Sequence, residues 1–203
     1  MTLLVTIDPI GVAPMFAGLT SAHTPAERRR MALRGVSIAA GVLVGFALIG
    51  EFLLGALGIE LAAFRIAGGV LLLLLSIDMV MVRHSGLRTT TESEERESGQ
   101  RADISVFPLA IPLVAGPGAM TSVVLLMSAA QGDFAFGALV IGELVFVLVL
   151  TLLALLGAGQ VMRCLGITGV NVVTRVSGLL LAALAIQFVI DGVRVVAHLS
   201  GTY

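Results

Sequence analysis

The chain reads as an all-α, polytopic membrane protein of about six transmembrane helices arranged as two inverted three-helix repeats. Three observations lead there. Apolar residues come in blocks of bilayer length, connectors rich in Arg alternate with connectors that have none, and several features recur in the same order about 110 residues apart. Hydrophobic residues make up 58% of the 203-residue chain and charged residues 12%, against about 25% charged in a soluble domain. A bilayer core needs about 20 consecutive apolar residues per helix. Inside it the backbone must satisfy its own hydrogen bonds, so the blocks are expected as helices.

Six spans are expected: Thr2–Thr20, Met31–Leu57, Ala62–Val82, Ile104–Ala130, Phe134–Gln160 and Val172–Ala197. The first lacks the basic residues that open a signal peptide, and Asp8-Pro9 interrupts its apolar run, so it is expected as a retained span. Before the second, Thr24 has the place of an N-cap, Pro25 of the first helical residue and Glu27 of the N3 acceptor, which predicts a helix starting there and running through Arg28, Arg29 and Arg30. The segment His84–Asp103 holds Thr89-Thr90-Thr91 and Glu92-Ser93-Glu94-Glu95-Arg96-Glu97. It has too few apolar residues to bury a core and is expected as a flexible cytoplasmic linker. The expected division is thus a first three-helix repeat over 1–83, the linker over 84–103 and a second repeat over 104–203.

All twelve basic residues are Arg. Arg28, Arg29, Arg30 and Arg34 flank the first connector, Arg83, Arg88, Arg96 and Arg101 the third, and Arg163 the fifth. The connectors around Gly58 and Gly132 carry none. With six spans the Arg-bearing connectors share one side, which should be cytoplasmic, leaving both termini outside.

Leu57-Gly58-Ile59 precedes the third span and Leu165-Gly166-Ile167 the sixth. Arg65-Ile66-Ala67-Gly68 is matched 110 residues later by Arg175-Val176-Ser177-Gly178, and Pro9 is matched 108 residues later by Pro117. An odd number of spans per unit forces the second copy to enter the membrane upside down, a common plan for secondary transporters.

The candidate substrate-binding residues follow from two Gly/Pro clusters. Asp8, Pro9, Gly11 and Pro14 lie in the first span; Gly116, Pro117 and Gly118 lie in the fourth, after Pro108 and Pro112. Proline removes an amide donor and clashes with the preceding turn, so both helices should break or kink. A broken helix exposes amides at a positive end and carbonyls at a negative end, and a zwitterion matches that pair. The glycines would let a small ligand approach the backbone. Asp8 could hold an ammonium or a coupling proton, or cap the broken helix; a carboxylate within a span costs about 2.5–3.5 kcal/mol on insertion scales. Thr121 follows the second cluster and could contact substrate; Glu143 lies well inside the fifth span, where it could line the pathway or lock helices together by hydrogen bonds. Gln187 is expected to lock helices together, Asp191 and Arg194 to pair, and Arg65 and Arg175 to snorkel at helix starts.

No HExxH, GxSxG or P-loop pattern is present, so no catalytic residue and no enzymatic activity is expected. Three scattered histidines and one cysteine predict no metal site. No cofactor is expected. The net charge of −1 gives no basic field for nucleic acid. The partners expected are membrane lipids and a small zwitterionic substrate; the coupling ion is not written in the residues, and a homo-oligomer is left open.

Asp8-Pro9-Ile10-Gly11 with Pro14, Glu27-Arg28-Arg29-Arg30, Ala63-Phe64-Arg65-Ile66-Ala67-Gly68-Gly69, Pro108-Leu109-Ala110-Ile111-Pro112 and Ala115-Gly116-Pro117-Gly118-Ala119 together resemble the MarC family of bacterial and archaeal inner-membrane proteins, also called the NAAT family. The resemblance spans nearly the whole chain. It implies a six-helix, multi-pass protein of the cytoplasmic membrane and a secondary transporter of small neutral amino acids of the alanine and glycine type. The alternative is a non-transporting membrane scaffold or assembly protein. Members of the family usually carry more apolar residues ahead of the Asp-Pro pair, so the first span is either truncated here or its start is assigned downstream of the true one.

Overall fold

The computed structural model describes residues 1–81 and 103–200, and everything below concerns those residues. The chain forms α1 (Thr2–Ile7), α2 (Pro9–Leu19), α3 (Pro25–Ala56), α4 (Leu61–Met81), the wide-turned α5 (Ser105–Val114), α6 (Pro117–Ala129), α7 (Phe134–Leu156) and α8 (Ala158–Ser200). Five stretches are long and apolar enough to cross a membrane: Thr2–Leu19, Pro25–Ala56, Leu61–Met81, Phe134–Leu156 and Asn171–Ala197. The pair α5–α6, bent by 56°, makes a sixth if it counts as one span. The expected linker over 84–103 lies outside the described residues except for Asp103.

The span boundaries shift by local chemistry. The Thr24 hydroxyl accepts from the Glu27 amide and the Glu27 carboxylate accepts from the Thr24 amide, 2.8 Å away, closing a capping box with Pro25 at the first position. Helix α3 therefore starts before the apolar run does. Helix α7 ends at Leu156 and not at Gln160, with Gly157 as its C-cap, whose amide closes the last turn on the Leu153 carbonyl. Asp133 caps its other end, accepting from the Ala135 and Phe136 amides. Gly166, at φ 61° and ψ 178°, interrupts α8 ahead of the spanning part.

Helices α4 and α8 run antiparallel in close contact. A Cβ on Gly69 would stand 2.8 Å from the Ala185 carbonyl oxygen, and one on Gly192 would stand 3.0 Å from that of Ala62. Small residues at such crossings let two backbones approach within van der Waals reach, the main source of helix association in lipid. Around this pair, α2 packs on α7 and α8, while α6 packs on α3 and α4. The interior is filled by Leu3, Ile7, Phe16, Leu43, Leu109 and Leu144, all essentially inaccessible. The outer surface is apolar as well: Phe52 is 80% exposed and Phe134 89%. Large rings outside and a full core inside are what a lipid-solvated bundle shows, since lipid removes any penalty for outward apolar side chains.

Candidate functional site at two broken helices

The first break sits at Asp8. Its backbone is left-handed, at φ 51° and ψ 68°, a conformation that Asp tolerates better than most residues. That turn ends α1 and starts α2. The Asp8 side chain then caps α2, with Oδ1 accepting from the Gly11 amide at 3.1 Å. Gly11 has to lack a side chain for this: a Cβ there would stand 2.1 Å from Asp8 Oδ2. The Asp-Pro-x-Gly run is thus one capping unit. Pro14 falls inside α2 and cannot donate to the Ile10 carbonyl.

The second break is spread over α5. Phe107 and Ile111 are extended, at φ −132° and −130°, because a following proline pushes its neighbour out of the helical region. Both X-Pro bonds, at Pro108 and Pro112, are cis. The turns between are wide: the Leu109 amide reaches the Ile104 carbonyl at 3.2 Å, and the Ala115 amide reaches that of Ala110 at 2.8 Å. Gly116 then caps α6, with Pro117 at its first position.

Two cavities meet the breaks. One of about 500 Å³ is lined by Leu4 and Val5 of α1, Asp8 and Pro9 at the break, Leu150 of α7 and Ser177 of α8. The other, about 20 Å³, lies between Thr6, Leu71 and Leu75 and the Pro112–Gly118 turn, where Gly116, Pro117 and Gly118 face it. Thr6 and Asp8 stand two residues apart, so the end of α1 separates the two spaces. Thr6 itself is bound back to its own helix, donating to the Thr2 carbonyl at 3.1 Å.

The candidate residues do not all converge. Asp8 and Pro9 share the larger cavity; Gly116, Pro117 and Gly118 share the smaller. Pro14 lines neither. The space over Gly118 is filled by Leu72, whose Cδ2 would be 2.0 Å from a Cβ there. Thr121 is buried against Gly68 of α4, with its Cγ2 2.1 Å from where a Cβ of Gly68 would stand. Glu143 forms an ion pair with the Met1 amine. Ser122, next to Thr121, is fully buried and its hydroxyl has no hydrogen-bond partner.

Other polar residues hold the frame. Arg28 caps the C-terminal end of α2, donating Nε to the Thr20 carbonyl at 2.8 Å and Nη2 to that of Ala17 at 3.4 Å. Arg34 pairs with Asp103 at 2.6 Å, tying the start of α3 to the entry of α5. The Ser105 hydroxyl and amide donate to Asp103, and with Arg34 they hold its carboxyl below the usual carboxylate range. Gln187 donates to Asp191 at 2.8 Å, within one helix, and Asp191 pairs with Arg194 at 3.9 Å as expected. The capping by Arg28 and by Asp133 is not legible from composition. The signal for Asp133 was its place directly before an apolar run after Gly132.

A bundle of apolar helices with two interrupted spans defines a polytopic α-helical integral membrane protein. The chain belongs to the MarC family: the model of the MarC family integral membrane proteins matches residues 1–197. It is 39% identical over 189 residues to a UPF0056 membrane protein of Methanocaldococcus jannaschii, covering 93% of this chain and 90% of that one. It is 32% identical to the UPF0056 membrane protein YvbG of Bacillus subtilis, over 96% of this chain and 92% of the relative. The UPF0056 membrane protein YhcE of Escherichia coli is 34% identical over 95% and 88% respectively. No solved structure matches the chain.

Proposed function

We propose that this MarC-family protein is a secondary transporter of small neutral amino acids of the alanine and glycine type, working in the cytoplasmic membrane without covalent chemistry. The observation that carries the reading is the pair of interrupted spans whose breaks lie on either side of the end of α1. Asp8 supplies a negative group for the ammonium of a zwitterion. The first turn of α6 supplies amides and a positive dipole end for its carboxylate. At about 20 Å³ the space beside Gly116–Gly118 holds no more than a water. Binding a whole amino acid there requires the two sides to separate, which is what alternating access provides.

The moving units are the two inverted repeats, 1–83 and 104–203, joined by the linker. The packing supports this assignment. Helix α2 rests on α7 and α8, helices of the other half, and its counterpart α6 rests on α3 and α4. A two-fold relation between the halves produces that exchange. Purified protein in liposomes is expected to exchange labelled alanine or glycine. Uptake no greater than in empty liposomes, under imposed proton and Na⁺ gradients alike, rejects the reading. The filled spaces over Gly118 and Thr121 favour the second reading, a non-transporting scaffold. That reading predicts unchanged amino-acid efflux on deletion and a stable partner in a detergent pull-down.

A further inference from the structure

Helix α3 turns a mixed stripe outward. Arg30, Arg34, Ser37 and Gly41 fall at i, i+4, i+7 and i+11, one face of an α-helix, and all four are exposed. With Arg29 and Leu33 at its margin, the first part of this stripe lines an open groove. The Arg30 guanidinium makes no hydrogen bond or ion pair among the described residues. Arg34 gives Nη1 to Asp103 at 2.6 Å, which leaves most of its five donors free. Glu27, one turn before Arg30, is committed to Thr24, accepting from its amide and its hydroxyl at 2.8 Å. The Ser37 hydroxyl has no partner among the described residues, not even a carbonyl of its own helix, the usual recourse of such a group. Further along, a Cβ on Gly41 or Gly45 would meet nothing within 4 Å, so the face continues as a shallow notch against the backbone.

The order of these groups along α3 fixes their depth. Between Arg34 and Glu51 the helix carries no charge, a length of about 24 Å at 1.5 Å per residue. The hydrocarbon core is about 30 Å thick, so Arg34 and Glu51 stand at its two edges. Arg30 is then about 6 Å further out, Ser37 about 4.5 Å inside the edge and Gly41 about 10 Å inside. A phospholipid presents its own groups in the same order: phosphate outermost, ester carbonyls next, acyl chains below. Guanidinium forks match phosphate oxygens. Two of them against the single carboxylate of Asp103 leave a net positive charge, which a headgroup of net charge −1 neutralises. A zwitterionic headgroup would bring an ammonium toward the same cations, where like charges repel.

We propose that this stripe is a binding site for one anionic phospholipid, with its phosphodiester between Arg30 and Arg34, an ester carbonyl on the Ser37 hydroxyl and an acyl chain along Gly41. The site is separate from the two broken helices and does not rest on the transport reading.

Native mass spectrometry on the purified full-length chain in detergent is the test, with dioleoyl phosphatidylglycerol and dioleoyl phosphatidylcholine as probes of equal chain length. The glycerol lipid is expected to bind at least about fivefold more tightly than the choline lipid. Arg30→Gln is expected to weaken the glycerol lipid by about fivefold, about 1 kcal/mol for one Arg at an anionic surface. Gly41→Leu, which fills the notch from a position with open space around it, is expected to weaken it by a similar factor. Arg175→Gln removes one charge from an exposed position on α8 and is expected to bind as the native chain does. Glycerol phosphate, which has the headgroup chemistry without the chains, should not displace the lipid at equal concentration. Equal binding of the two lipids by the native chain overturns the proposal, even if a variant does not fold. So does native affinity in Arg30→Gln or in Gly41→Leu. Equal losses in Arg30→Gln and Arg175→Gln overturn it in favour of diffuse surface charge, and displacement by glycerol phosphate overturns it in favour of a site for free phosphate.

Discussion

At the residue scale, single side chains in this protein serve as helix terminators. Asp8 shows it best: one left-handed residue ends α1, and its carboxylate then satisfies the Gly11 amide that α2 would otherwise leave bare. Gly11→Ala places a methyl 2.1 Å from that carboxylate. It is expected to destabilise the protein by about 1–3 kcal/mol, the usual range for overpacking, read as a lower thermal midpoint in detergent. Arg28 does the matching work at the other end of α2. Arg28→Ala strips the donors from the Ala17 and Thr20 carbonyls and is expected to cost about 1–3 kcal/mol by the same measurement. Arg29→Ala, on an exposed neighbour, serves as the control and should change little.

At the scale of elements, the α4–α8 crossing holds the molecule together. Packing that depends on glycine fails differently from packing that depends on large side chains. The atoms nearest a new methyl at Gly69 include the Ala185 carbonyl oxygen at 2.8 Å and the Val189 amide nitrogen at 3.1 Å. Backbone cannot rotate away, so the helices must part. Gly69→Ala is expected to lower the thermal midpoint clearly. Gly41→Ala, where a Cβ meets nothing within 4 Å, should leave it unchanged or raise it slightly through helix propensity. Equal effects at the two sites would show that the crossing is not the tight one described here.

At the scale of the whole molecule, orientation and pH response follow from charges at the membrane surfaces. Single cysteines at Ser21 and Gln131, in a Cys164→Ser background, should be labelled oppositely by a membrane-impermeant maleimide. Gln131 is expected to react from outside intact cells, and Ser21 only after permeabilisation; the reverse pattern would invert the topology. The Arg34–Asp103 pair bridges α3 and α5 on the Arg-bearing side. Asp103 has a lowered pKa in the folded chain, so the folded state holds its proton less tightly than the unfolded one. Its contribution to stability is complete above the ordinary carboxylate pKa of about 3.9 and fades as pH falls through the lower folded value. Asp103→Asn should therefore narrow the difference in thermal midpoint between neutral and strongly acidic buffer. Both side chains are substantially exposed, so the effect is small and weakens with salt.

The sequence by itself determined the apolar, bilayer-length segments to within a few residues of their ends, the capping box at Thr24 and the fact of two breaks. Each of these follows from a local cause: bilayer length, cap chemistry, and the inability of proline to donate. It also carried the family, through motifs read in order. Only the tertiary structure decided which candidates meet. Thr121 turned toward Gly68 and Glu143 toward the Met1 amine, because a helix position fixes a side chain's azimuth but not its neighbour. The separation of Asp8 from Gly116–Gly118 into two spaces arises from how α7 and α8 close against the first break. Contacts between segments distant in the chain depend on shape complementarity across the bundle, and no local pattern of residues encodes that.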